Sequence, residues 1–226
     1  MKTEEHIVSP AYLWFDAEFT SLEADQARLL QVALLVTDPA LKRLTPPARD
    51  LNLYIALDAG APVSAWVAEN LAGLLARCRS NEAVAVEEAD RRLAALVDEA
   101  VGPVSKEIKR RPVLAGNSIH MDMALVRRFL PEFARRLHYR LLDVSTLKIL
   151  WNDRSSGPPF EKSNAALVRQ HLPPGIDPPP AGAHDAYFDL HASIAELNYY
   201  LSERVKESPG EGTGPTGSPR NASTAM

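Results

Sequence analysis

Apolar runs alternate with polar breaks from early in the chain. Tyr12 to Phe19 and Leu29 to Thr37 flank the polar turn Ser21 to Arg28, and Leu51 to Leu57 follows the Pro46-Pro47 break. Three strand-like runs joined by short connections predict an antiparallel meander. The period then changes. Ser64 is placed to cap a helix from Ala65 to about Arg79, and Ala89, Leu93, Leu96, Val97 and Ala100 form one stripe of a second helix that stops near Gly102-Pro103. Strand and helix alternate from there. Pro112 to Ala115 reads as a strand, Met121 to Arg136 as a helix with Leu125, Phe129, Leu130 and Phe133 inward, and Arg140 to Val144 as a further strand. Ser163 is expected to cap a brief helix, and Pro173 to Ala183 is a loop whose prolines cannot continue one. Ala186, Leu190, Ile194, Leu197 and Leu201 mark the stripe of a last, long helix from about Asp185 to Arg204. A meander followed by βα units predicts an α/β domain, a mixed sheet with helices packed on its faces.

That domain is expected to span residues 9–206. Glu207 to Met226 is rich in Gly, Pro, Ser and Thr, has no aromatic residue, and reads as a disordered tail. The chain has 226 residues, 46% apolar and 24% charged, which excludes disorder throughout and a fibrous architecture. Its 25 basic and 29 acidic residues sum to −4, which argues against a broad electropositive surface for long duplexes but leaves room for a small anion in a local pocket. Arg127, Arg128, Arg135 and Arg136 read as a solvated helix face. A lone Cys78 allows no internal disulfide, and the first residues carry no apolar secretory segment, so a reducing, cytoplasmic setting is expected. No apolar run approaches the roughly 18–20 residues of a membrane span.

Two carboxylates change the picture. Asp16 and Glu18 stand two apart in the first strand, so the period of two puts both on one face. One reading is an edge strand whose polar face meets water. The other is a cation site, and it gains from Asp122 and Asp189, which both fall near the starts of predicted helices; a favourable helix dipole would also explain either of them singly. If the four converge, any two about 5 Å apart repel by about 3 kcal/mol at an effective dielectric of 20. Oxygen ligands suit hard ions such as Mg²⁺ or Mn²⁺, and two such ions can stabilise the attacking and leaving oxygens of a phosphodiester hydrolysis. His184, five residues before Asp189, has the side chain to take a proton from an attacking water.

With these residues in view, the blocks YLWFDAEFTSL, LLQVALLVTD, LAGNSIHMD, HYRLLDVSTLK and HDAYFDLHASIAELNYY resemble those of the oligoribonucleases. That family belongs to the exonuclease superfamily carrying three Asp, one Glu and one His. The resemblance covers about Tyr12 to Leu201; a DxE pair alone is weak evidence, whereas the HYRLLDVSTLK and AELNYY blocks are specific to the family. It implies a ribonuclease H-like fold, a homodimer, two divalent cations (Mg²⁺ or Mn²⁺), and release of 5′-mononucleotides from the 3′ end of short single-stranded RNA.

Position by position, the resemblance implies metal carboxylates at Asp16, Glu18, Asp122 and Asp189, with His184 as general base. Leu22 matches the leucine that wedges between the two terminal bases, and Phe19 stands where a methionine is usual beside the sugar. Trp66 matches an aromatic residue of the base pocket, and Asn117 and Ser118 match positions near the substrate backbone. His138, Tyr139 and Arg140 resemble a segment that reaches from the partner subunit to cap the far phosphate. Ordinary packing remains the alternative for Phe19, Leu22 and Trp66, and a polar strand entry for the last three.

The chain also departs from the family. Where DLEMTGL is common it reads Asp16-Ala17-Glu18-Phe19-Thr20-Ser21-Leu22, and the phosphate-contacting histidine usual after the tryptophan is missing from Val67-Ala68-Glu69-Asn70-Leu71. A broader exonuclease acting on longer RNA or DNA ends, and a silent nucleotide-binding protein, are the competing readings. Retention of all five metal and base residues argues against the second.

Overall fold

The computed structural model of the protein describes residues 10–23, 25–155, 157–177, 179, 182 and 184–207. The expected meander is present as β1 (Tyr12–Phe19), β2 (Leu29–Thr37) and β3 (Leu51–Tyr54). β3 stops short of Leu57; the Ile55 amide still donates to the Leu30 carbonyl at 2.8 Å, and Ile55 also bridges Val84. Two strands follow later in the chain, β4 (Val113–Gly116) and β5 (Leu141–Asp143). The sheet runs in the order β3-β2-β1-β4-β5, antiparallel within the meander and parallel between β1, β4 and β5.

Alternation along β1 divides the core. Leu13, Phe15 and Ala17 pack with Val32, Leu34 and Val36 of β2 on one face. That face is covered by α3 (Val86–Val101), whose stripe Ala89, Leu93, Leu96 and Val97 is buried as expected. Trp14, Ala33 and Leu35 point the other way, against the long final helix α8 (Ala186–Glu207). Asp16 and Glu18 continue the Trp14 side, so the strand delivers both carboxylates to the face that α8 covers.

Several helices differ from the sequence expectation. The stretch after Ser64 is two helices, α1 (Ala65–Asn70) and α2 (Ala72–Cys78), although Ser64 does cap the first through its side chain. The break falls at Leu71 (φ −118°, ψ 28°), which turns into a small core with Leu30, Leu57, Val67, Leu75 and Cys78. Met121 to Arg136 is not one helix either. It is α4 (Ile119–Phe129) and α5 (Pro131–Ala134), because Pro131 lacks an amide hydrogen and forces Leu130 out of helical geometry (φ −128°, ψ 60°). The residues after β5 form a helix that the sequence reading passed over, α6 (Val144–Arg154), started by the Asp143 side chain accepting from the Ser145 amide. Asn164, not Ser163, caps α7 (Ala165–His171). Leu201, expected on the inner stripe of α8, is 47% exposed. α8 runs through Glu207, and residues 208–226 of the expected tail lie outside the described residues.

Gly116 ends β4 where a side chain would not fit. A Cβ there would stand 2.7 Å from the Phe15 carbonyl oxygen, so glycine permits the close approach of β4 to β1 beside the carboxylates.

Candidate active site

The carboxylates meet where the C-terminal end of β1 faces the start of α8. Oxygen atoms of Asp16, Glu18 and Asp189 all lie within 4.8 Å of one another, the one such grouping of three or more metal-binding side chains among the described residues. Asp122 joins from the first turn of α4, buried, with its carboxylate held by backbone amides including that of Ala17. A β-bulge lies beside them: Glu18 pairs with Gln31 but Phe19 with Leu29, which leaves Leu30 unopposed and re-aims the strand end.

This packing of like charges shows in proton affinity. Burial, reinforced by Asp122 and Asp189, holds Asp16 well above the ordinary carboxylate range. Burial and then Asp189 push Glu18 up to about 7, and burial pushes Asp122 up to about 8 against the help of its backbone amides. Asp189 is raised too, mainly by burial. Carboxylates that resist ionisation in this way are completed by cations, and an all-oxygen donor set of this kind fits hard divalent ions. One cation is supplied by the chain itself: Lys162 Nζ stands 3.9 Å from Asp189 Oδ1.

His184 enters with α8. Its backbone is left-handed (φ 65°) and its amide donates to Asp189 Oδ2 at 3.1 Å, which ties it to the carboxylate cluster. Its ring meets Trp66 edge to face with centroids 5.2 Å apart. The helix start is fixed by Gln31, a lone amide in an otherwise apolar part of β2. Gln31 Oε1 accepts from the Ala186 amide at 3.2 Å, and Nε2 donates to Asp185 Oδ2 at 3.2 Å and to Asn52 Oδ1 at 2.8 Å. A buried polar residue in the middle of such a strand is the signal by which sequence reasoning would have found it.

Beside the carboxylates lies a cavity of about 540 Å³, lined by Glu18, Phe19, Leu22, Trp66 and Leu71 among others. Leu22 is 80% exposed and Trp66 50%, which is unusual for side chains of that size and leaves two apolar surfaces open to a ligand.

The remaining candidates group elsewhere. Asn117 directs its polar atoms inward: Nδ2 donates to Ser193 Oγ at 3.1 Å and Glu196 Oε2 at 2.9 Å, and Oδ1 accepts from Ser145 Oγ at 3.1 Å. Ser118 is exposed and left-handed (φ 50°), and its amide donates to Asp143 Oδ1 and Ser145 Oγ. Ser145 therefore stands between the two as a polar group the sequence reading had not singled out. His138 is buried and accepts the Arg140 amide on Nδ1 at 2.8 Å. Tyr139 stacks on His138 at 4.4 Å and lies under the Arg140 guanidinium, with both Tyr139 and Arg140 exposed. The His138 amide donates to the Pro112 carbonyl at 2.8 Å, which anchors the trio beside β4.

A mixed sheet with carboxylates gathered at the end of its central strand defines a nuclease-like architecture, and comparison with known proteins narrows it. Residues 13–197 match the RNase_T exonuclease family. The chain is 33% identical over 192 residues to the oligoribonuclease of Azoarcus sp. (strain BH72), covering 83% of this chain and 91% of that one. It is 32% identical over 204 residues to that of Mycobacterium ulcerans, covering 89% and 84%. Among solved structures, exonuclease I from Methylocaldum szegediense superposes with a TM-score of 0.61 at 18% identity over 87% of this chain, and this chain spans 41% of that protein. Escherichia coli exonuclease I in complex with a 5cy-dT13 oligonucleotide superposes at 0.56, with 15% identity over 88% of this chain and 42% of its own. The chain belongs to the exonuclease family and, within it, to the oligoribonucleases. The ribonuclease H-like fold expected from the sequence is the one these neighbours share.

Proposed function

We propose that this chain, a 3′–5′ exoribonuclease by family, removes 5′-mononucleotides from the 3′ ends of very short single-stranded RNAs. The observation that carries the reading is the meeting of Asp16, Glu18 and Asp189 next to a cavity walled by exposed Leu22 and Trp66. Asp16, Glu18, Asp122 and Asp189 would hold two divalent cations, Mg²⁺ or Mn²⁺, which supply a water of lowered pKa and neutralise charge at the leaving 3′-oxygen.

The chain's own residues do the rest. Trp66 offers a face on which a terminal base stacks, a contact contributing about 1–3 kcal/mol, and Leu22 offers an apolar wedge beside it. Phe19 closes the cavity where a terminal sugar would sit. The imidazole of His184, whose backbone amide is tied to Asp189, accepts the proton of the attacking water. The water oxygen then bonds to phosphorus, the bond from phosphorus to the 3′-oxygen breaks, and that oxygen takes up a proton. Ser118 faces the next phosphate, while Asn117 holds Ser145 in place rather than reaching the substrate itself.

His138, Tyr139 and Arg140 cap the far phosphate from the second subunit of a homodimer in this reading, which limits substrate length. Exposed Ile149 and Leu150 on α6 and Leu201 on α8 support such pairing, since they leave apolar side chains uncovered on neighbouring helices. No helix among the described residues is long and apolar enough to cross a membrane, and buried, unpaired Cys78 fits a reducing cytoplasm.

A second reading, a broader exonuclease acting on longer ends, is favoured by one feature. The stretch Val67 to Leu71 lacks the phosphate-contacting histidine usual in the family, and within it the Asn70 side-chain amide donates to the Trp66 carbonyl at 2.9 Å. Incubation of the protein with 5′-labelled RNAs of two to ten nucleotides, with Mn²⁺ or with a chelator, separates the two. Metal-dependent loss of the dinucleotide ahead of the ten-mer is expected. Equal or faster trimming of the ten-mer would move the enzyme to the broader class, and no cleavage at all would refute both.

A further inference from the structure

The carboxylate cluster carries its own counter-ion. Lys162 Nζ lies 3.9 Å from Asp189 Oδ1, and its charge opposes the rise in proton affinity of Asp16, Glu18, Asp122 and Asp189 alike. The side chain is 28% exposed, so water screens it only in part.

Its position is set by the turn that carries it. Phe160, fully buried, is packed against Tyr199 and His171, and its carbonyl accepts from Lys148 Nζ at 3.2 Å. Two residues past Lys162, Asn164 donates its amide to the Glu161 carbonyl and caps α7 with its side chain. Lys162 is therefore presented from a turn pinned on both sides, and the ammonium is brought to the carboxylates by the fold.

We propose that Lys162 is a resident cation of the metal-free centre that competes with divalent ions for Asp189. Without it, four partly desolvated carboxylates would lose the lysine charge that opposes the protonation of each of them. With it, a divalent ion must displace or repel an ammonium in order to bind, so Lys162 sets the concentration at which the centre loads. The inference rests on the proposed metal-binding role of the cluster and adds to it a residue that regulates loading.

Calorimetric titration of the purified full chain with Mn²⁺, in the absence of RNA, tests it. For Lys162→Met the apparent dissociation constant should fall about tenfold, a conservative share of the Coulomb energy of a unit charge about 4 Å away once solvent screening is allowed for. Lys162→Arg, which keeps the charge, should stay near wild type. The metal-free Lys162→Met protein should also unfold at a lower temperature than wild type, with the deficit removed by saturating Mn²⁺. If wild type binds Mn²⁺ and Lys162→Met binds it equally well or more weakly, the proposal is overturned while the metal site stands. If wild type binds no Mn²⁺, the metal-site reading itself has failed.

Discussion

Two groups of charged side chains, both close to the start of α8, have been built to opposite standards. Around Asp50 the charges are paired. Arg43 grips it with two hydrogen bonds of 2.7 Å, the Tyr187 hydroxyl donates a third at 2.7 Å, and Arg43 Nε also donates to the Gly175 carbonyl. The Arg43 and Asp50 side chains are 10% and 3% exposed. The group formed by Asp16, Glu18, Asp122 and Asp189 is unmatched, with one lysine against four carboxylates whose proton affinities are all raised. A buried charge network that is complete needs nothing further and serves the fold; one that is incomplete is a request for a ligand. The contrast teaches which cluster to treat as chemistry, and it can be broken by substitution.

The largest effect is expected on catalysis. Asp16→Ala should reduce cleavage of a short RNA by about four powers of ten or more, equivalent to roughly 5 kcal/mol or more of lost transition-state stabilisation, while circular dichroism stays native. Turnover near the wild-type rate would remove Asp16 from the mechanism. The same kind of change in the matched group should act on the fold instead. Asp50→Ala leaves Arg43 buried without its partner and should destabilise the protein by about 3–5 kcal/mol, read from urea unfolding. The smallest effect has the opposite sign: Glu18→Gln removes one of the mutually repelling charges and should raise the stability of the metal-free protein at pH 8 by about 1 kcal/mol. A loss for Glu18→Gln as large as that for Asp50→Ala would erase the distinction between the two groups.

Much of the carboxylate group could be read before any coordinates. Asp16 and Glu18 interrupt an apolar strand at a spacing of two, and the structure puts both on the α8 side. The buried stripe of α3 and the cap at Ser64 followed from local periodicity and side-chain chemistry in the same way. The helix break at Pro131 was equally legible, since proline constrains the residue before it, but the apolar spacing through Leu130 and Phe133 concealed it. Leu71 was different. Its break depends on a core assembled from Leu30, Leu57 and Cys78, residues distant in sequence, so no local pattern announces it. Lys162 is hidden for the same reason: it reaches Asp189 across 27 positions through a turn whose placement is set by Phe160, whereas Gln31 was visible as one amide among apolar neighbours.

The central claim is that the carboxylate group is left incomplete for a cation to fill, and thermal unfolding against pH tests it most directly. Glu18 moves from its ordinary value of 4.5 to about 7, and Asp122 from 3.8 to about 8. The folded state thus retains protons that the unfolded chain has released. Metal-free stability should fall as pH rises from about 4 to about 8, because in that window the native state binds more protons than the unfolded one. Mn²⁺ at a fixed concentration, about one hundred times its dissociation constant at pH 8, should restore about 2.7 kcal/mol there, and less toward pH 4, where the carboxylates hold protons and bind the ion more weakly. A metal-free stability that is flat or rising across that window, with no response to Mn²⁺, would contradict the account.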